Sequence, residues 1–242
     1  MVSRTTADRT ITKIIRGGRD RTYTFPRTTR VARSGAFKNK KDLRSVRLND
    51  GLEVLGENCF FDSKIRELVL PSSVGSIGKC AFSACCDLRR ADLRTAHGLK
   101  ILEEELFSRC RQLRQVLLND ELETIGVSCF SDNAFEEITI SRDARRIEKC
   151  AFGYCQALKE VVFAGNVLAS IGDNAFSGSG LEKFTAPASL CEVGEQAFSG
   201  CEALKYVDLS ACLQSEEQQK HANYFLSGEA FRGSSIEEIR LP

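Results

Sequence analysis

The sequence predicts a solenoid, a fold in which one short supersecondary unit is stacked on copies of itself. Two observations predict it. A phenylalanine recurs at steps of 22 to 25 residues with one final step of 33, and a short run with the apolar pattern of a strand follows each of them. A unit this short cannot bury its apolar face alone, so the copies must stack. The recurring phenylalanines are Phe37, Phe60, Phe82, Phe107, Phe130, Phe152, Phe176, Phe198 and Phe231.

The run that follows each phenylalanine predicts one strand per repeat. Its first, fourth and sixth residues are apolar, as in IRELVL from Ile65 and LRQVLL from Leu113. The fourth and sixth alternate with polar neighbours, which is the period of a strand. A repeat of about 23 residues is too short for a strand and a long helix. We therefore expect a short helical or 3-10 turn around each phenylalanine.

The full motif resembles the BspA-like class of leucine-rich repeats. Its pattern, L-x-x-V-x-L-P and then I-G-x-x-A-F-x-x-C, is matched closely by residues 77–88 (IGKCAFSACCDL) and 193–204 (VGEQAFSGCEAL). The resemblance extends from about residue 20 to the C-terminus. It implies a right-handed, curved leucine-rich-repeat solenoid with a parallel β-sheet on the concave face and short turns and loops on the convex face. Members of this class are surface and binding proteins, so the resemblance also implies a protein of that kind without catalytic residues. Pro71 and Pro187 occupy the proline position, and the glycine position holds Gly56, Gly78, Gly126, Gly172 and Gly194.

The unbroken period predicts one repeat domain, residues 26–242, of about nine repeats. Residues 1–25 form a basic segment that we interpret as a β-hairpin cap, with Ile11 in its first arm and Tyr23 and Phe25 in its second. A disordered tail and a transit peptide are the alternatives. The longest spacing holds an insertion at residues 212–225, where Ser215 begins a predicted N-capped helix. We find no secretory h-region and no apolar stretch long enough to span a membrane.

The cysteines recur because the repeat recurs. Eleven are present, and four of them, Cys85, Cys110, Cys155 and Cys201, lie three residues after a phenylalanine. We interpret them as small buried thiols in a reducing compartment. A disulfide between neighbouring repeats and a zinc site are the alternatives. The odd total and the absence of a paired C-x-x-C favour the first interpretation.

No catalytic constellation stands out in the sequence. It contains no G-x-x-x-x-G-K-[ST], no G-x-S-x-G and no H-E-x-x-H, and its two histidines provide little for acid–base chemistry. We therefore predict that the protein is not an enzyme and has no catalytic residue, no metal site and no cofactor.

The concave sheet is the first candidate binding surface. The third and fifth residues of each run should face outward there, and the middle of the fifth-position column is mostly apolar between charged flanks. An apolar centre inside a polar rim is typical of a protein-binding patch. Alternatively, parallel strands simply favour such residues. The predicted partner-binding residues are Val69, Asp92, Leu117, Thr139, Val162, Thr185 and Tyr206.

The basic N-terminal region is the second candidate surface. Residues 1–50 hold 14 lysines and arginines against 4 acids, although the whole chain has a net charge of +1. This region could bind a protein, bind nucleic acid or simply be solvated. The predicted basic patch consists of Arg16, Arg19, Arg21, Arg27, Arg30 and Arg33.

Together these patterns predict a non-enzymatic protein-interaction scaffold inside the cell. The scaffold could form a subunit of a larger assembly. The alternatives are an adhesin-type surface protein and a nucleic-acid-associated subunit that uses the basic region. We expect a cytoplasmic, reducing location, with organellar import as the alternative. Because the last strand would otherwise leave an open edge, we also expect a partner or a second copy to cover the C-terminal edge, with a fragment of a longer repeat array as the alternative.

Overall fold

Two ladders of parallel strands run the length of the fold. The computed structural model describes residues 10–11, 21–214 and 226–242, and these residues contain strands and turns but no helix. Each repeat contributes one longer strand, one two-residue strand and a turn centred on the recurring phenylalanine. The prediction of a solenoid with a parallel sheet is therefore confirmed.

The longer strands correspond to the runs read from the sequence. The longer strands are β2 (Thr22–Thr24), β4 (Ser45–Arg47), β6 (Glu67–Val69), β8 (Arg90–Asp92), β10 (Gln115–Leu117), β12 (Glu137–Ile140), β14 (Glu160–Phe163), β16 (Lys183–Thr185), β18 (Tyr206–Asp208) and β19 (Glu238–Arg240). They pair in parallel and in register within four groups, which are β2–β4, β6–β8–β10, β12–β14 and β16–β18–β19. No ladder joins β4 to β6, β10 to β12 or β14 to β16 among the described strands.

The two-residue strands form the second ladder, which is divided into a sheet of four strands and a sheet of five. From the strand at Val31–Ala32 onward, each ends five residues before a phenylalanine, and the side chain of its second residue is buried in the core. Val193 extends this ladder through a parallel bridge to Leu226. The strands are β1 (Thr10–Ile11), β3 (Val31–Ala32), β5 (Val54–Leu55), β7 (Ser76–Ile77), β9 (Ile101–Leu102), β11 (Thr124–Ile125), β13 (Arg146–Ile147), β15 (Ser170–Ile171) and β17 (Glu192–Val193).

The recurring phenylalanines stack into one continuous column in the core. Neighbouring ring centroids lie 4.6 to 5.6 Å apart, and the ring planes differ by only 2 to 16°. All of the rings from Phe37 to Phe198 are fully buried, and the last, Phe231, is half-buried. Each ring is thus covered by copies of itself, which confirms the phenylalanine as the register residue of the repeat.

A third set of hydrogen bonds joins the turns that carry the phenylalanines. The Phe60 amide donates to the Ala81 carbonyl (2.7 Å), and the Phe130 amide donates to the Ala151 carbonyl (2.8 Å). From Phe37 to Phe176, the amides two residues before and two residues after the ring donate in the same way, as Asn58 does to Lys79 and Asp62 to Ser83. Every buried turn therefore satisfies its backbone with the next turn, as burial requires.

The predicted helical or 3-10 turn is not present in the described residues. In most repeats, the residues two before and two after the phenylalanine have positive φ, for example Cys80 (56°) and Ala84 (59°) around Phe82. A right-handed helix requires negative φ, so these two positions prevent one from forming. Seven of these seventeen residues are glycine or asparagine, but the other ten include cysteine, alanine, glutamate and tyrosine, so the sequence marks the left-handed conformation in only some repeats. The hydrogen bonds to the next turn hold them there.

The repeat's glycines allow two turns to approach closely. A Cβ on Gly78 would lie 2.5 Å from the Glu57 nitrogen, and one on Gly126 would lie 2.4 Å from the Leu102 oxygen. Both contacts are to backbone atoms of the preceding repeat, which cannot swing aside. The glycine position of the motif is therefore a packing requirement.

The two terminal features predicted from the sequence fall mostly outside the described residues. The hairpin turn would lie within 12–20 and the insertion helix within 215–225, so both stay predictions. The described parts of the two hairpin arms pair with other strands: β1 with β3 and β2 with β4, both in parallel. Tyr23 lies in β2 in register with Val46, which fits its interpretation as part of a degenerate repeat strand.

Replacing Phe107 by alanine should lower the free energy of unfolding by about 3–5 kcal/mol, because the substitution opens a cavity in the middle of the ring column. Urea unfolding followed by circular dichroism would measure the loss. Tyr154→Ala is the control, since that side chain is 66% exposed and should change stability little. Equal losses for the two variants would contradict a central role for the column.

Replacing Gly78 by alanine should cost about 1–3 kcal/mol, because the added methyl group would overlap the Glu57 backbone. Gly98→Ala is a matched control, since its nearest contact is at an easily tolerated 3.4 Å. A thermal melt of both variants would separate close packing from a general glycine effect. The packing argument would be wrong if Gly98→Ala were the more damaging change.

Candidate functional site

The outward side of the longer strands is the most regular surface of the molecule, and we call it the strand face. It consists of the first and third residues of the longer strands from β4 onward, and in most of these strands the residue between them is buried. These strands are β4, β6, β8, β10, β12, β14, β16, β18 and β19. In β6, for example, Leu68 is buried while Glu67 and Val69 are exposed. Because most of these outward side chains are not part of the packed core, they are available to bind a partner.

The structure brings the predicted partner-binding residues onto this face in register. Asp92 pairs with Val69 on one side and with Leu117 on the other, Thr139 pairs with Val162, and Thr185 pairs with Asp208. The column is not bridged between Leu117 and Thr139 or between Val162 and Thr185. Its apolar side chains are accessible, since Val69 is 56% and Val162 37% exposed and Leu117 is half-buried.

Asp92 differs from the rest of the column because it is nearly buried. Its Oδ1 accepts a hydrogen bond from Arg94 Nε (3.0 Å), and its Oδ2 accepts bonds from Arg94 Nη2 and Arg90 Nη2 (both 2.8 Å). The hydrogen bonds from Arg94 hold the pKa of Asp92 below its usual value. Arg90 also donates to Gln115 Oε1 (2.9 Å), so this carboxylate anchors a small network and orients its neighbours.

Tyr206 lies in a second network near the other end of the strand face. Its hydroxyl donates to Asp208 Oδ2 (3.0 Å), and the Arg240 guanidinium lies over its ring at 5.4 Å. The Asp208 carboxylate also accepts hydrogen bonds from Ser210, which lower the pKa of that aspartate. The ring is half-buried and fixed in place by these contacts.

Two shallow clefts open where the ladder of longer strands is interrupted. The first, of about 360 Å³, lies between β10 and β12 and is bordered by Leu117, Thr139 and Glu137. The second, of about 330 Å³, lies between β14 and β16 and is bordered by Val162, Thr185 and Pro187. The two clefts flank the paired strands β12 and β14, and each places an apolar residue of the predicted column at its edge.

Two of the three interruptions coincide with a change in the core. Phe135 is the first residue of the run that contains β12, and Phe184 is the central residue of β16. Most neighbouring repeats carry smaller aliphatic side chains at these two positions. Both rings pack edge-on or tilted against the phenylalanine column. The gap between β4 and β6 has no such substitution and stays unexplained.

The predicted basic patch is divided among several places. Arg16 and Arg19 lie outside the described residues. Arg21 precedes β2, Arg27 borders a shallow cleft beside Arg47, and Arg30 and Arg33 flank β3. Arg30 forms an ion pair with Glu53 of the next repeat, as Lys41 does with Asp62, so the neighbouring turns partly neutralise this region.

An arginine row that the sequence analysis missed runs along the N-terminal ends of five longer strands. It follows the second position of successive runs, and its backbone hydrogen bonds join each arginine amide to the carbonyl of the one before at 2.7 to 3.1 Å. The same position in the later repeats alternates in sign: Glu136, Lys159, Glu182, Lys205 and Glu237. Comparing one position across all runs would have revealed this row, which consists of Arg21, Arg44, Arg66, Arg89 and Arg114.

The cysteines pack in the core as free thiols. All eleven are unpaired, and seven are buried. The four that lie three residues after a phenylalanine each donate a hydrogen bond to a phenylalanine carbonyl of an earlier repeat, at 3.0 to 3.1 Å. Asn133 takes the same position in its repeat and donates to the Phe107 carbonyl (2.9 Å). These thiols therefore act as hydrogen-bond donors between turns.

The described residues hold no group of three or more histidine, cysteine or acidic side chains placed to bind a metal ion. Within the same ranges no helix is long and apolar enough to cross a bilayer.

Two apolar side chains are exposed at the C-terminal edge. Ile239 in the last strand is 40% exposed and Leu241 just after it is 58% exposed. The expectation that a partner or second copy covers them stays a prediction.

The stacked turns, the two strand ladders and the phenylalanine column define a parallel β-solenoid repeat protein. A family model described as the BspA type leucine rich repeat region, in six copies, matches residues 21–134, 92–205 and 123–242. The chain therefore belongs to the BspA-type leucine-rich-repeat family, as its motif indicated. Comparison with curated proteins found no match.

Several solved bacterial structures share this fold. A leucine-rich repeat protein from Eubacterium ventriosum is 23% identical, with a TM-score of 0.64 over 72% of this chain and 47% of its own. The chain thus spans about half the length of that protein. The leucine-rich repeat protein of T. pallidum is 18% identical, with a TM-score of 0.60 over 87% of this chain and 86% of its own. The pneumococcal vaccine antigen PcpA is 17% identical, with a TM-score of 0.51 over 77% and 61%. At these identities the likeness shows the fold alone.

Replacing Cys85 by alanine should make stability less sensitive to alkaline pH. Burial raises the pKa of this thiol from 9.0 to about 12. Between these values the unfolded chain has released a proton that the folded protein keeps, so the free energy of unfolding falls as pH rises, by up to about 1.4 kcal/mol per pH unit and thiol.

Urea unfolding of the reduced protein at pH 8 and pH 10 would measure this difference. Ser63→Ala is the matched control, because Ser63 takes the same repeat position and is buried against Cys85 Sγ at 3.4 Å without a thiol to ionise. It should keep the pH dependence of the wild type. An unchanged slope in Cys85→Ala would contradict the assignment.

Proposed function

We propose that this protein is a non-enzymatic interaction scaffold that binds a protein partner through the strand face. The observation that carries the proposal is the pair of clefts on either side of β12 and β14, each bordered by an accessible apolar side chain. Leu117 and Val162 lie at these edges among charged and polar neighbours. An apolar centre with a polar rim favours protein association. In this proposal the ladder is curved and the strand face is its concave side.

The rigidity of the scaffold supports this function. The core side chains are held by the ring column, and the outward side chains of β6 to β10 are fixed in strand register. A partner that binds such a surface loses little free energy in ordering it, because the backbone is already in place. The networks around Asp92 and Tyr206 fix further polar groups on the same face.

Introducing aspartate at both Leu117 and Val162 should abolish partner binding while the fold stays intact, since both side chains point away from the core. The partner would first be identified by placing a photo-crosslinking residue at position 117 or 162 in cells. Position 154, which is exposed in a phenylalanine turn away from the strand face, is the matched control. We expect one protein to crosslink from 117 and 162 and not from 154.

The double aspartate variant then tests the same pair of proteins with purified components. Its expected result is a loss of binding of at least about 100-fold, because each aspartate would have to be desolvated against an apolar contact. Undiminished binding by a variant with a wild-type melting temperature would remove the strand face from consideration.

We further propose that the protein works in a reducing compartment inside the cell. The support is chemical: a thiol that donates a hydrogen bond to a buried carbonyl loses that donor when it is oxidised to a disulfide. Four cysteines make such bonds between turns. Localisation of the tagged protein distinguishes this proposal from an adhesin-type role, for which antibody should label intact cells without permeabilisation.

A further inference from the structure

We infer that the arginine row is a docking surface for an acidic α-helix, with one carboxylate presented per helical turn. The row consists of Arg21, Arg44, Arg66, Arg89 and Arg114, stacked on successive repeats by direct backbone hydrogen bonds. It shares no residue with the apolar column of the strand face, although Arg114 also borders the cleft between β10 and β12. The inference goes beyond the proposed function, and variants in the row and in the column distinguish the two.

The charges of this row are largely uncompensated. Arg44 Nη1 lies 2.6 Å from Asp87 Oδ2, and Lys64 shares the same carboxylate at 3.3 Å. Among the described residues, no ion pair joins Arg21, Arg66, Arg89 or Arg114 to an acid, and all four are exposed. Like charges on adjacent strands repel, so an anionic partner would relieve the row.

The later repeats show how the same position behaves when it needs no partner. There the signs alternate, and Lys159 pairs with Glu136 at 3.5 Å and Lys205 with Glu237 at 2.6 Å. These ion pairs run between turns along the same backbone register. The contrast between five arginines and the alternating, self-neutralised residues of the later repeats marks the arginine row as the part of this position that is open to an external anion.

The spacing of the row favours a helix over an extended chain. Successive turns lie about 5 Å apart, as neighbouring ring centroids at 4.6 and 5.6 Å indicate. An α-helix that carries an acid on one stripe presents it every 5.4 Å. An extended strand presents alternate side chains about 6.6 Å apart and would lose register within a few repeats. The arginine fork suits a carboxylate, which it can bind through two hydrogen bonds.

A nucleic acid fits the surface less well. Single strands are held by bases stacked on aromatic side chains, whereas the outward residues of β4, β6, β8 and β10 include no aromatic residue. A duplex carries its phosphates along winding backbones with 3.4 Å of rise per strand, which a straight row with a repeat near 5 Å does not follow.

The test measures fluorescence anisotropy with two labelled helical peptides of about 18 residues and identical composition, long enough to follow five turns. One carries five glutamates on a single stripe, and the other distributes them around the helix. Wild-type protein should bind the stripe peptide more tightly. The variant Arg66→Gln/Arg89→Gln/Arg114→Gln should weaken that binding by roughly 10- to 100-fold, because three charge-assisted pairs are lost.

The matched control is Lys159→Gln/Lys205→Gln, which removes two charges at the same repeat position and should change binding less than about threefold. Val162→Asp should also bind the stripe peptide normally, which separates this surface from the apolar column. Circular dichroism melts verify folding, and the single variant Arg89→Gln gives the same direction of change if the triple variant melts early.

Three results would overturn the inference. The first is equal affinity of wild-type protein for the two peptides, and the second is unchanged affinity in the arginine variants. The third is that the wild-type protein binds a 20-nucleotide RNA or DNA more tightly than the stripe peptide and that the triple variant loses this binding. That result would make the row a nucleic-acid surface.

Discussion

The stacking of one phenylalanine turn on the next is the constraint on which the rest of the structure depends. Each ring is covered by its neighbours at 4.6 to 5.6 Å, and each turn from Phe37 to Phe176 donates backbone hydrogen bonds from three alternate amides to the following turn. Dispersion and burial hold the rings together, while the hydrogen bonds satisfy a backbone that burial would otherwise leave unpaired. Neither set of contacts exists within a single repeat, so stability is shared between neighbours.

This arrangement separates the residues that build the fold from those that can bind. The core uses the phenylalanine, the aliphatic positions and small buried thiols, all of which face inward. The outward positions of the longer strands and the residue just before each strand contribute little to packing. They are therefore free to differ from repeat to repeat, and two interruptions of the ladder coincide with the larger core side chains Phe135 and Phe184.

The two surfaces of interest follow from that freedom in different ways. The apolar column offers accessible aliphatic side chains at two clefts, and its contribution to binding would come from removing them from water. The arginine row offers one charge per repeat at nearly constant spacing, and it would act through charge-assisted hydrogen bonds and steering. A repeat protein can carry both, because each property needs only one position of the repeat.

The sequence by itself determined the period, the strand positions, the core residues and the family, because each depends on side-chain patterns that recur in every copy. Only the tertiary structure decided the conformation of the phenylalanine turns, since residues such as Cys80 and Ala84 take positive φ while their amides donate hydrogen bonds to carbonyls of the next repeat. It also decided that Arg94 holds the Asp92 carboxylate by hydrogen bonds in a nearly buried position and that the ladder opens at two clefts. Contacts between repeats set these features, and a pattern read within one repeat does not contain them.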